Sequence, residues 1–111
     1  MSFPRFEIKK SANDQFYFVL RSKGNGEVIL VSEMYTTKQS CNNGIESVRK
    51  NAPDNARYER KENSGKYSFN LKAGNGEVIG RSESYASSSG RDKGIEAVKR
   101  DAPDAPIEDL S

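Results

Sequence analysis

The chain opens on alternating apolar and polar positions. Phe6-Glu7-Ile8-Lys9-Lys10 has the period of two expected of a half-buried strand. The turn formers Ser11-Ala12-Asn13-Asp14 follow. Phe16-Tyr17-Phe18-Val19-Leu20 then alternates again, with Phe16, Phe18 and Leu20 on one side. Gly24-Asn25-Gly26 closes a tight turn, because glycine and asparagine accept the positive φ that hairpin turns require. A third strand is expected from about Glu27 to Glu33. Three strands joined by short turns predict an antiparallel meander.

The period changes after Tyr35. Thr36-Thr37-Lys38-Gln39 reads as a capping box at a helix start. Cys41, Ile45, Val48 and Ala52 then form one stripe of an amphipathic helix. Arg49 and Lys50 suit the negative end of its dipole. Pro53 ends it, since the residue before proline is pushed out of the α region.

The second half repeats this plan. Gly-Asn-Gly-Glu-Val-Ile runs from Gly24 to Ile29 and again from Gly74 to Ile79. Tyr58-Glu59-Arg60-Lys61 reads as the first strand of the second copy, and Asn63-Ser64-Gly65 as its first turn. Tyr67, Phe69 and Leu71 answer Phe16, Phe18 and Leu20, so the first copy carries one extra residue near Lys23. Ser87 is the expected cap of a helix presenting Ile95, Val98 and Ala102 and stopping at Pro103. Pro106-Ile107-Glu108-Asp109-Leu110 has the alternation of one more short strand, at an edge or strand start because of its proline. About fifty residues with so few apolar side chains bury too little surface to fold alone. The reading is therefore one α+β domain over residues 1–111, made of repeats 5–55 and 56–111. The two repeats share a core around a pseudo-twofold axis, as the halves of an isologous dimer would. Gly44 and Gly94 stand at the same point of the two helices. Glycine there costs about 1 kcal/mol against alanine, so close packing is expected at both positions.

Composition sharpens this picture only slightly. Hydrophobic residues make up 33% of the 111 residues and charged ones 31%, which predicts a thin core: one apolar sheet face covered by helices. The 18 basic residues nearly cancel the 16 acidic ones, leaving +2. Basic residues occur in pairs and not in runs, which argues against a dedicated nucleic-acid binder. The single Cys41 excludes an internal disulfide and fits a reducing compartment. No signal-like start and no membrane-length apolar run are visible, so a soluble cytoplasmic protein is expected.

Several motifs together resemble one family. The Asn-Gly-Glu-Val-Ile turn, the Ser-Glu-x-Tyr that follows it, the Gly-Ile-Glu-x-Val helix and the Ala-Pro-Asp stop are similar to those of the YegP-like proteins. These are small bacterial proteins built from one or two copies of a domain of unknown function. The resemblance covers nearly the whole chain, in both copies. It implies a β(3)-α-β unit whose last strand is exchanged with its neighbour, within one chain when the copies are in tandem. On that basis Arg57–Lys61 would pair across units as well as open the second repeat, and Ile107–Leu110 would be the final exchanged strand. The resemblance brings no activity, substrate or catalytic residue.

The residues themselves offer little chemistry. Histidine is absent, which removes the commonest general base and metal ligand. Cys41 has no histidine to activate it and lies on the apolar stripe, as a small structural side chain would. Gly24-x-Gly26 leads into a strand, so the phosphate logic of a helix N-terminus does not apply. Glu33 and Glu83 would be twofold mates, and two close carboxylates could act as acid and base. Among exposed serines they read more simply as solvated or ion-paired groups. Tyr35 and Tyr85 close the third strands and should pack across the strand–helix corner, with a lined groove as the sharper alternative. Together Tyr35, Tyr85, Glu33 and Glu83 are the candidate partner surface. The alternative is a weak nucleic-acid face using Tyr58, Lys66, Lys72 and Arg81, where basic and aromatic residues alternate. The reading is a non-enzymatic binding module for a protein partner, monomeric, with no catalytic residue, no metal and no cofactor.

Overall fold

The computed structural model of the protein describes residues 3–111. β1 (Arg5–Lys10), β2 (Phe16–Arg21) and β3 (Val28–Val31) form the first antiparallel meander. β4 (Tyr58–Asn63), β5 (Lys66–Lys72) and β6 (Val78–Arg81) form the second. Each meander is followed by a helix, α1 (Lys38–Asn51) or α2 (Ser88–Asp101), and the chain ends with β7 (Ile107–Asp109). The hairpin turns before β3 and β6 use Gly26 at φ 71° and Gly76 at φ 89°, the left-handed region the sequence pointed to.

The meanders do not make two sheets. They meet through β3 and β6, with Val31 opposite Arg81, and form one sheet in the order β4-β5-β6-β3-β2-β1-β7. Both helices lie on the same face of it. α1 covers β2 and reaches β6, while α2 covers β5 and reaches β3, so each helix bridges the two repeats. The apolar stripes of the helices and the even positions of β1 and β2 merge into one core that includes Phe6, Phe18, Ile45, Phe69, Leu71 and Ile95. Burying each such side chain contributes about 1.5–3 kcal/mol, and neither repeat holds enough of them alone. At the junction the symmetry breaks: a Cβ on Gly80 would lie 2.7 Å from Leu30 Cγ. One repeat supplies a leucine and the other the space for it.

Two local expectations need correction. The cap of α1 is Thr37, whose hydroxyl accepts the Ser40 N–H at 3.0 Å, and not the box from Thr36 to Gln39. Tyr35 exchanges both backbone hydrogen bonds with Phe16, at 2.7 Å each, which holds the chain to the sheet until Tyr35. Gln39 bonds Asn43 instead. The second cap, Ser87 accepting Gly90 N–H at 3.0 Å, is where it was expected.

The second correction concerns strand exchange. β7 crosses to the first repeat and pairs in parallel with β1, Phe6 opposite Ile107 and Ile8 opposite Asp109. The segment Arg57–Lys61 opens the second repeat as expected but makes no pairing with a strand of the first. Arg57 belongs to a short 3-10 turn, Asn55–Arg57, capped by the Asp54 carboxylate, and Tyr58–Asn63 pairs only with β5. Asn51 ends α1 and Tyr58 begins β4, so the chain between them is too short to lay down a separate strand first. Exchange therefore occurs at one end of the sheet.

Candidate functional site

Covering one sheet face with both helices leaves the other face uncovered. Strand alternation decides what it carries. In β1 and β2 the odd positions Arg5, Glu7, Lys9, Tyr17, Val19 and Arg21 face away from the helices, opposite the buried Phe6, Ile8, Phe18 and Leu20. Register carries the pattern across the sheet to Val28, Val31, Val78 and Arg81, then to Lys66, Lys72, Asn70, Glu59 and Lys61. A valine strip thus runs through the middle, between basic side chains on both flanks.

Seven of the 18 basic residues lie on this face: Arg5, Lys9, Arg21, Lys61, Lys66, Lys72 and Arg81. The acids that meet them are Glu7, Glu59, Glu108 and Glu33. Seven basic residues against these four acids leave the sheet face net positive, while the rest of the chain, helices and loops together, holds eleven basic and twelve acidic residues.

The most ordered feature of the face is Glu7, only 4% exposed. Its carboxylate accepts from Arg21 Nε at 2.8 Å and from Arg5 Nε at 3.0 Å, with Lys9 Nζ at 3.8 Å. Burial pushes the Glu7 carboxyl up, but the hydrogen bonds from Arg21 and Arg5 outweigh it and hold it below the usual carboxylate range. Three cations share this acid, with Glu108 3.9 Å from Arg5 as a second, so the cluster keeps excess positive charge. Sequence reading passed over it, because a glutamate in an alternating strand reads as solvated until its cross-strand neighbour is known.

The residues proposed from sequence fall in three places. Lys66, Lys72 and Arg81 lie on the uncovered face, but Lys72 pairs with Glu59 at 3.3 Å and Arg81 with Glu33 at 3.4 Å. Tyr58 does not join them. It is 7% exposed on the helix side, and its hydroxyl donates to Ala52 O at 2.7 Å. Tyr58 pairs with Leu71, a core residue, and the parity of the strand turns its ring inward.

Tyr35 and Tyr85 are half-buried at the strand–helix corners. A Cβ on Gly44 would come within 2.8 Å of Tyr35 Cζ, and one on Gly94 within 2.8 Å of Tyr85 Cζ. The paired glycines thus make room for tyrosine rings and not for another backbone. Burial pushes both phenols up from their ordinary value. Glu33 and Glu83 are not equivalent: Glu33 meets Arg81, whereas the position that would serve Glu83 is Val31, and Glu83 has no ion pair among the described residues. Cys41 is fully buried, and desolvation raises its thiol to about 11. Among the described residues no group of His, Cys, Asp or Glu side chains is arranged to hold a metal ion, and no helix is long and apolar enough to cross a membrane.

Comparison with known proteins agrees with this architecture. A family model described as "Domain of unknown function (DUF1508)" matches residues 11–59 and again 62–109. The UPF0339 protein YegP of Escherichia coli K12 is 58% identical over 69 residues, and a UPF0339 protein of Shewanella oneidensis 56% over 69 residues. These matches span 61% of the chain and 62% of the length of either relative, just under two thirds. The solution structure of the Shewanella oneidensis protein superposes with a TM-score of 0.91 at 48% identity, over 98% of this chain and 92% of that one. The solution structure of E. coli yegP, titled a protein of unknown function, gives 0.91 at 47%, over 99% and 95%. With both repeats matched and the sheet reproduced in solved relatives, the chain belongs to the DUF1508 family as a tandem two-repeat member.

Proposed function

We propose that the chain is a non-enzymatic binding module, a cytoplasmic monomer, whose uncovered sheet face receives an acidic protein. One observation carries this reading: the side of the sheet without helices gathers seven basic residues against four acidic ones around the half-buried Val28, Val31 and Val78, which flank the buried Val19. A partly apolar centre with arginine at its rim is the composition of a protein interface. The molecule measures 34 × 34 × 27 Å, which leaves room for the roughly 800 Å² that a standard interface takes from each partner. Excess charge steers an oppositely charged partner and raises its association rate.

Single-stranded nucleic acid is the second reading, and the face favours it less. Sequence-tolerant strand binders stack successive bases on aromatic rings. Here Tyr17 is the one aromatic within the strands of this face, and Tyr58 lies on the other side. The non-enzymatic part of the reading is supported by the state of the reactive groups: a buried thiol raised to about 11, phenols pushed up by burial, and Glu33 engaged by Arg81.

The test compares tagged wild type with a Lys61→Glu/Lys66→Glu double variant in nuclease-treated lysate. Both lysines are exposed and have no ion pair among the described residues, so the fold should survive. An acidic protein retained by wild type and lost with the variant, in a salt-sensitive manner, is the expected result. Identical retention by both proteins removes this face from consideration. Loss of all retention on nuclease treatment transfers the reading to nucleic acid.

A further inference from the structure

On the helix side, a groove of about 380 Å³ runs between the β2–β3 turn and the flank of α2. Its turn wall includes Lys23, Asn25 and Glu27, and its helix wall Lys93, Gly94 and Arg100, with Tyr85 beside Gly94. The groove joins residues that are distant in the chain: the Lys23 N–H donates to the Asp101 carboxylate at 3.2 Å.

The other repeat shows which parts of this groove the fold itself requires. Tyr35 and Gly44 repeat the packing of Tyr85 on Gly94, and Asn75, Glu77 and Ile79 repeat Asn25, Glu27 and Ile29. Lys50 repeats the charge of Arg100, but the two lysines do not follow. Asn43 stands where Lys93 does, and Lys23 is the extra residue of the first repeat, with no counterpart. One repeat folds without these two lysines, so their presence in the groove is not a requirement of packing.

The charges in the groove are unevenly satisfied. Arg100 is taken by Asp101 through two hydrogen bonds of 2.7 and 2.8 Å. Neither Lys23 nor Lys93 has an ion-pair partner among the described residues, and neither does Glu27. The side-chain amide nitrogen of Asn25 and the Tyr85 hydroxyl also have no hydrogen bond among them, whereas Asn25 Oδ1 is occupied by Ser22 and by the Glu27 N–H. Donors thus outnumber acceptors above a floor that includes Ile29 and Ala97. We infer that this groove binds a small molecule carrying an oxyanion, phosphate or carboxylate, on a compact apolar body. Lys23, Lys93 and Asn25 would hold the oxyanion, and Tyr85, Ile29 and Ala97 would receive the apolar part. The inference is independent of the sheet-face reading, since the groove is on the opposite side of the sheet.

The experiment is an amide NMR titration of the full chain with phenyl phosphate, with inorganic phosphate and benzoate as separate arms at constant ionic strength. Saturable shifts at Lys23, Asn25 and Gly94, with little change at Asn75 and Gly44, are expected. Saturation with phenyl phosphate alone identifies a phosphate ester, and saturation with benzoate a carboxylate. Lys93→Asn installs the residue the other repeat already carries, and it should weaken binding about tenfold, as loss of a charge-assisted hydrogen bond does. Asn43→Lys should bring saturable shifts to Asn75 and Gly44, the counterparts of Asn25 and Gly94. Shifts that never saturate with any of the three probes overturn the inference. So do equal shifts at Asn75 and Gly44 of the wild type, or an unchanged affinity in a folded Lys93→Asn variant.

Discussion

The Asp101 carboxylate accepts the backbone N–H of Lys23 at 3.2 Å, joining the last helix to a turn 78 residues earlier. The acceptor is buried, 4% exposed, and is also held by Arg100. This contact depends on the extra residue of the first repeat. In the first repeat the counterpart of Asp101, Asn51, turns back to Ser47 O and receives Arg57 Nε instead. Asp101→Ala leaves a part-buried N–H without its partner and should cost about 1–3 kcal/mol. Urea unfolding of the variant checks it; an unchanged midpoint would show that solvent replaces the contact.

Acid should weaken the fold through two carboxyls. Burial raises both Glu7 and Asp101, but hydrogen bonds from Arg21 and Arg5 to the first, and from Arg100 and the Lys23 N–H to the second, leave both below the usual range. A carboxyl depressed in the folded state contributes stability that is complete above its unfolded value, about 4, and is lost as the pH falls through the folded value. Melting temperature should therefore hold steady from pH 7 to pH 5 and decline below pH 4. Glu7→Gln combined with Asp101→Asn should flatten that decline.

Tightness at the tyrosine corners should override helix propensity. Gly44→Ala would normally stabilise a helix by about 1 kcal/mol. Its Cβ would meet Tyr35 Cζ at 2.8 Å and Phe18 Cε2 at 3.1 Å, and overpacking of this kind costs about 1–3 kcal/mol. A net loss of stability is expected by thermal unfolding, and a gain would mean that the ring moves aside freely.

Two turn glycines should respond differently. Gly26 sits at φ 71°, where a β-branched residue is strained, so Gly26→Val should lower stability by about 1–3 kcal/mol. Gly74 lies outside the left-handed region, and the nearest atom to an added Cβ is Arg57 Nη2 at 3.6 Å. Gly74→Ala should be close to neutral. Equal losses at the two sites would contradict the turn geometry.

Cys41 should be silent. Fully buried, with its thiol raised to about 11, it offers almost no thiolate at pH 8. A disulfide-exchange reagent should react with it only at the rate of unfolding, and denaturant should release a full equivalent at once.

Local order was legible in the residues. Alternation in Phe16–Leu20, the stripe Cys41, Ile45, Val48 and Ala52, and the Gly-Asn-Gly turns are short-range patterns, which the backbone periods translate directly into strands, helices and bends. Duplication extended that reading to both halves and to a shared core. What a sequence does not state is which strand lies beside which. Glu7 reads as solvated until Arg21 is placed opposite Arg5 beside it, and Tyr58 reads as a surface aromatic until Leu71 is placed across from it. The single exchanged strand, Leu30 over Gly80 and the contact of Asp101 with Lys23 likewise depend on register and on where the repeats meet. Their cause lies in pairings between residues far apart in the chain, and only the folded sheet brings those residues together.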